Sequence, residues 1–209
     1  MSQSEYFEEQ LGKVEDDSVA ELTALCRKLQ DQQPGSRVPL IDPVHDVDEA
    51  RVISLQIAPG PGTSSGFLSL RNDDPTAARL AAVYEAAGLE PRFGIPWNVF
   101  PWELPDGGTK LTPDQVKAGI RPLKELMRIA YRTSAIVAHG TEAKRLVQAW
   151  IKAGGQQVIN QRGIKIYEVR STADRAFLGS TEKQQAWFDE MVAAYTDAMA
   201  RAGLRPADK

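Results

Sequence analysis

Four short apolar segments alternating with capped helical patterns predict an α/β fold: a three-layer α/β/α arrangement around a central, mainly parallel four-stranded sheet. Parallel neighbours need crossover connections, and the helical patterns between the segments supply them. Size is the second observation. A chain of 209 residues, 42% of them apolar, is ample for one α/β core and short for two. Residues 1–209 are therefore expected to form a single domain, with 1–17 as a flexible acidic segment.

In chain order, Ser18 is placed to cap a helix whose apolar stripe is Leu22, Leu25, Cys26 and Leu29, ending near Gln33-Pro34-Gly35. "RVISLQI" (51–57) is a β-branched run with charge before it and Pro-Gly after it, which reads as a buried strand. "DPTAARLAAVYEAAG" follows as a helix, with Asp74 at the N-cap, Pro75 at the first helical position and Gly88 just past the end. "FGIPWNV" (93–99) is the second strand. "TPDQVKAGIRPLKELMRIA" opens with Thr112 and Gln115 at capping-box spacing. "TSAIVAHG" is the third strand, after which Thr141 is expected to cap "EAKRLVQAWIKAGG". "IKIYEV" (164–169) is the fourth strand, and "TEKQQAWFDEMVAAYTDAMARAG" is a long closing helix.

Composition narrows the function classes. The single cysteine, Cys26, excludes an internal disulfide and a four-cysteine zinc or iron–sulfur centre. No charged segment followed by an apolar one opens the chain, and no run of about 18 apolar residues occurs, so neither export nor membrane spanning is expected and the location is expected to be cytoplasmic. The net charge of −3 averages two unlike regions. Residues 1–49 hold 4 Lys/Arg against 12 Asp/Glu, whereas residues 117–175 hold 12 against 4. A basic middle behind an acidic start fits a phosphate-binding face masked from outside; ordinary solvated helix faces give the same count.

Sites on parallel sheets lie beyond the carboxyl ends of the strands. Four segments fall there: the 58–75 loop, "WNVFPW" (97–102), "AHGTEA" (138–143) and "VRSTADRAFLG" (169–179). The Ala-Pro-Gly-Pro-Gly run is a rigid turn in which Gly60 and Gly62 leave the backbone open to close approach. Asp74 is most simply an N-cap, while Asp73 beside it has no such duty. Asn98 presents one acceptor and two donors in a plane, suited either to reading a planar ligand or to tying a strand end to nearby backbone. Trp97, Phe100 and Trp102 around it are either stacking faces or core. His139, in a glycine turn, and His45, ahead of the first strand, have no catalytic constellation and are expected to be structural.

These segments carry a resemblance. "QIAPGPG" (56–62), "WNVFPW", "IVAHGTEA" (136–143) and "VRSTADRAFLG" together are similar to the motifs of the uracil-DNA glycosylase superfamily, and the sequence looks most like its bacterial uracil-DNA glycosylase-like branch. The likeness spans roughly residues 38–200. It implies a hydrolase of base excision repair that binds uracil- or lesion-containing DNA, extrudes a base and cleaves its N-glycosidic bond without metal or organic cofactor. The implied roles are as follows. Asn98 holds the base; Ile57, Ala58, Pro59, Gly60 and Phe67 border its pocket; Asp73 stabilises charge on the sugar or orients water; and Arg170 holds charge on the departing base or grips a phosphate. Ser171, Thr172 and Arg175 contact DNA. Two positions depart from the pattern. Ile57 and Ala58 stand where the superfamily has its water-activating side chain, and Arg170 stands where it has a histidine. A catalytically silent fold that binds DNA, a nucleotide or a protein is the alternative expectation, and hydrolysis of a free nucleoside is a third.

Overall fold

The computed structural model describes residues 3–60, 65–104 and 110–206. Its frame is a four-stranded parallel sheet built from β2 (Val52–Gln56), β4 (Gly94–Asn98), β5 (Ala135–His139) and β6 (Lys165–Val169), in the order β4-β2-β5-β6. All four are strands expected from the sequence. Neighbours run in register, with Val52 beside Gly94 and Ala135, and Gln56 beside Asn98. β2 and β5 are apolar almost throughout because both faces are covered.

Alternation along β2 divides the core in two. Ile53 and Leu55 face one cluster with Leu22, Leu29, Leu123, Leu146 and Trp150; these come from α2 (Ala20–Gln32), α5 (Ile120–Ile129) and α6 (Gly140–Trp150). Val52 faces the other, with Leu80 and Val83 of α3 (Pro75–Ala87) and Met191 and Tyr195 of α8 (Thr181–Arg201). Helices thus cover both faces of the sheet, an α/β arrangement compatible with three α/β/α layers.

Capping followed the sequence at two helices. Asp74 accepts from the Thr76 and Ala77 amides at the start of α3, Gly88 ends that helix in the left-handed region, and Thr112 with Gln115 forms a capping box on α4 (Pro113–Ala118). Ser180 caps α8. Two expected caps are not made. Val19 rather than Ser18 takes the N-cap position of α2 and makes no side-chain cap bond; the Ser18 carbonyl instead accepts from Val47. At α6 the helix begins one residue before Thr141, because Gly140 turns the chain at φ +82° directly out of β5.

One helix expected to be continuous is broken at a glycine, and another, expected to run to Gly155, ends earlier and leads into a helix the sequence did not reveal. A Cβ on Gly119 would lie 1.9 Å from the Val99 carbonyl oxygen, so this contact between the α4–α5 junction and the end of β4 requires glycine. After Trp150 a π-type turn, Ile151–Gly155, leads into α7 (Gln156–Arg162), with Gly154 at φ +101° and Gly155 against the Trp150 ring.

The acidic segment expected to be flexible holds α1 (Gln3–Leu11). Its Tyr6 and Phe7 are buried against a two-stranded parallel ladder, β1 (Leu40–Ile41) with β3 (Phe67–Leu68), that the sequence did not reveal. The Tyr6 hydroxyl donates to Asp42 at 2.9 Å, and the Ser69 hydroxyl donates to the same buried carboxylate. Few apolar residues and many acids made this region look solvated; two aromatic anchors suffice to dock it.

Candidate functional site

Connections leave β2 toward β4 and β5 toward β6, in opposite directions, so the crevice between their carboxyl ends is the topological switch point of the sheet. A cleft of about 670 Å³ opens there. Ile57, Gly140, Ser171, Arg170 and Arg175 line it, together with Lys110, Lys144, Glu168, Glu190 and Trp187. The Arg170 guanidinium lies 3.6 Å from the centre of the Trp187 ring and its Nε donates to the Ala176 carbonyl, so Arg170 is held against the wall. Lys144 pairs with Glu168 at 3.5 Å, and the buried Glu142 pairs with Arg145. The basic surplus of residues 117–175 does not gather on one face. Part enters this cleft, and Lys124, Arg128 and Arg162 border a separate groove of about 210 Å³ beside Trp150.

A smaller cavity of about 120 Å³ lies on the α3 side of the same strand ends. Asn98, Ala58 and Gly60 line it, joined by Gln56, Pro96, Leu68, Leu70, Asn72, Leu80 and Asp74. Asn98 is only 2% exposed. Its amide nitrogen has no hydrogen-bond partner among the described residues, and neither has that of Gln56. Buried amides are normally paired, so two unpaired donors in adjacent register positions mark this wall as unusual.

The expected site residues thus divide. Asn98, Ala58 and Gly60 meet in the small cavity. Ile57, Arg170, Ser171 and Arg175 meet in the large cleft, on the other side of the β2 end. Three expectations change, and a fourth gains a neighbour. Phe67 is fully buried and stacks on Phe7 at 5.7 Å between ring centres, so it is core and does not border the cavity of Asn98. Pro59 lines a third cavity with Gln30 and Arg37, away from Asn98. Thr172 is fully buried, with its hydroxyl donating to Gln56 Oε1 at 3.0 Å and its carbonyl accepting from Arg79, and so offers no DNA contact. Asp73 is exposed and lines neither cavity; the acid on the cavity wall is Asp74. Both capping amides bond Asp74 Oδ1.

Trp97 is buried in the core, and Phe100 and Trp102 pack on each other there, the Trp102 indole donating to the Leu29 carbonyl at 2.8 Å. Both histidines are internal. His139 is fully buried, its Nε2 2.8 Å from the Tyr195 hydroxyl, which with the Tyr84 hydroxyl meets Ser54. Burial pushes the His139 pKa down to about 4, so the ring is neutral at neutral pH. His45 donates from Nδ1 to the Gly94 carbonyl at 2.7 Å, and burial lowers its pKa against the pull of Asp42.

Three features of the site were not singled out from the sequence. Gln56 sits inside a quoted motif, but its role depends on the register with Asn98. Trp187 comes from the closing helix, and only the packing brings it to Arg170. Leu178, 76% exposed beside the cleft segment, is an apolar side chain left in water. Among the described residues no group of three His, Cys, Asp or Glu is placed to hold a metal ion, and no helix is long and apolar enough to cross a membrane. No family model matches the chain, and no curated protein matches it.

Proposed function

We propose that the chain is a glycosylase-type hydrolase acting on the N-glycosidic bond of uracil or a related damaged base in DNA. The observation that carries this reading is Asn98: a buried carboxamide with an unpaired amide group, on the wall of a ring-sized cavity that adjoins a cleft containing four cations. A flipped base read by Asn98 needs such a cavity, and the strand it leaves needs cations nearby. Lys110, Lys144, Arg170 and Arg175 line the cleft and would meet phosphates there, Lys144 in exchange for its pairing with Glu168, and the exposed Leu178 can fill space vacated in a duplex.

Cleavage develops positive charge on the sugar, and a carboxylate near the cavity mouth stabilises it. Asp73 and Asp74 are the candidates. Asp74 lines the cavity with Oδ2 outside its two capping bonds, and Asp73 lies one residue before it at the exposed turn. Arg170 is fixed on Trp187 in the large cleft, which suits a phosphate contact better than contact with the base.

A binding-only fold is the second reading, and one observation favours it: Ile57 and Ala58 offer no group to activate water, and the cavity acid also serves as a helix cap. The test is cleavage of single- and double-stranded oligonucleotides bearing one uracil, by the parent and by Asn98→Ala, Asp73→Asn and Asp74→Asn. Asparagine caps helices as well as aspartate does, so Asp74→Asn removes charge while keeping α3. Cleavage by the parent that falls about a hundredfold in Asn98→Ala and in one of the acid variants supports hydrolysis. DNA binding without cleavage of any uracil substrate selects the binding-only reading.

A further inference from the structure

Gln56 and Asn98 are the last residues of adjacent parallel strands and are paired in register, so their side chains project to the same side about one strand spacing apart, ~4.8 Å. Both line the small cavity, and both amide nitrogens are buried without a partner among the described residues. The orientation of Gln56 is fixed from behind: Thr172, itself fully buried, donates its hydroxyl to Gln56 Oε1, which turns the NH2 end away from that contact. The remaining wall is largely aliphatic, from Leu68, Leu70, Leu80 and Pro96.

Resting on the base-binding reading above, we infer that Gln56 is a second base-reading side chain, whose NH2 acts with that of Asn98 to select keto-bearing over amino-bearing pyrimidines. The cavity of about 120 Å³ has the scale of one ring; an apolar cavity of about 150 Å³ holds benzene. Two amide donors side by side match a ring edge carrying two acceptors. Uracil and thymine present two keto oxygens. Cytosine keeps one keto oxygen and an acceptor at N3 but carries an exocyclic amine in place of the other oxygen, so the amide placed for that oxygen would set a donor against a donor. Discrimination therefore comes from repulsion of the amino base as much as from attraction of the keto base. Thr172 is a positioning residue in this scheme: it touches Gln56 and holds its amide the right way round.

The test is a titration of the ¹⁵N-labelled full chain with free uracil and with free cytosine, following the side-chain NH2 signals. The Gln56 signal is identified by its absence in Gln56→Glu. Uracil is expected to shift both the Gln56 and the Asn98 pairs, and cytosine neither. Gln56→Glu and Gln56→Met, with backbone spectra showing the parent fold, are each expected to bind uracil at least about tenfold more weakly. Thr172→Val is expected to weaken uracil binding severalfold and to blunt the Gln56 shift, and Thr172→Ser to restore both. If uracil moves the Asn98 pair alone and the Gln56 variants bind within twofold of the parent, the role of Gln56 is overturned while the base-binding reading stands. A preference for cytosine means the Gln56 amide faces the other way and overturns the selection. No shift with either base overturns the inference and the base-binding reading together.

Discussion

Replacing Asn98 by leucine should make the protein more stable. Asn98 is 2% exposed, its amide nitrogen has no partner among the described residues, and its cavity neighbours Leu68, Leu70, Leu80, Ala77 and Pro96 are apolar. A buried donor left unpaired costs about 1–3 kcal/mol of desolvation. Asn98→Leu removes that cost and places aliphatic atoms against a largely aliphatic wall with the same number of heavy atoms and the same branch point. The neighbouring space of about 120 Å³ accommodates the greater volume of the two methyl groups. We expect a gain of about 1–2 kcal/mol, which for a chain of this size raises Tm by roughly 2–8 °C. The assay is urea unfolding followed by circular dichroism, comparing midpoints at unchanged m-value, with a thermal scan alongside. Ligand reading should be lost in the same variant. A loss of 1 kcal/mol or more would refute the reasoning, because it would show that the carboxamide is held by bonds that matter to the fold and is not kept in reserve for a ligand.

Gly119→Ala sets two effects against each other: alanine gains about 1 kcal/mol of helix propensity, but its Cβ meets the Val99 carbonyl at 1.9 Å, so we expect a net destabilisation of about 1–3 kcal/mol by urea unfolding. Phe67→Ala should cost about 3–5 kcal/mol, since Phe67 is fully buried and stacked on Phe7; a nearly neutral result would return it to the list of ligand contacts. For pH, the folded His139 pKa of about 4 lies below its ordinary 6.5, so the unfolded chain takes up the proton first and stability falls as pH drops through 6.5 toward 4. That is about 2 kcal/mol lost by pH 5, and His139→Asn should flatten this part of the stability profile relative to the parent. Cys26 is buried, and burial pushes its thiol pKa up to about 12, so a thiol reagent should label it only in denaturant.

β2 and β5 were legible because each is a short apolar run covered on both faces, a pattern that survives without knowledge of its neighbours, and β6 because Ile166, Tyr167 and Val169 fall in a short run ended by the polar 170–175 segment. Asp74, Thr112 and Gln115 were legible for a similar reason, since a cap is a contact within one turn. What the sequence hid depends on distant contacts. Gly119 looks like a tolerable helix interruption until the Val99 carbonyl shows that it is a junction, and Gly154 looks like a helix end until its φ of +101° is seen to turn the chain into α7. Phe67 lies in a Gly- and Ser-rich loop and resembles a ligand contact until Phe7, sixty residues away in sequence, is seen against it. Thr172 lies in a segment rich in polar residues, and nothing local says that its hydroxyl is buried on Gln56.

The end of β2 explains how one short segment can serve two cavities. Side chains alternate along an extended chain, so Ile57 lines the large cleft while Gln56 and Ala58 line the small one. A ligand with a ring in the small cavity and anionic groups in the cleft would therefore straddle this single stretch of backbone. The two sides are linked by the Thr172–Gln56 hydrogen bond, because Thr172 follows directly on Arg170 and Ser171 of the cleft. Movement of the 170–175 segment toward a phosphate would pull on the group that orients Gln56. Under the proposed function, Arg170 and Arg175 would affect ring recognition through Thr172, without touching the ring. Asn98, on the neighbouring strand, has no hydrogen bond to that segment among the described residues, so it should read the ring independently of what occupies the cleft.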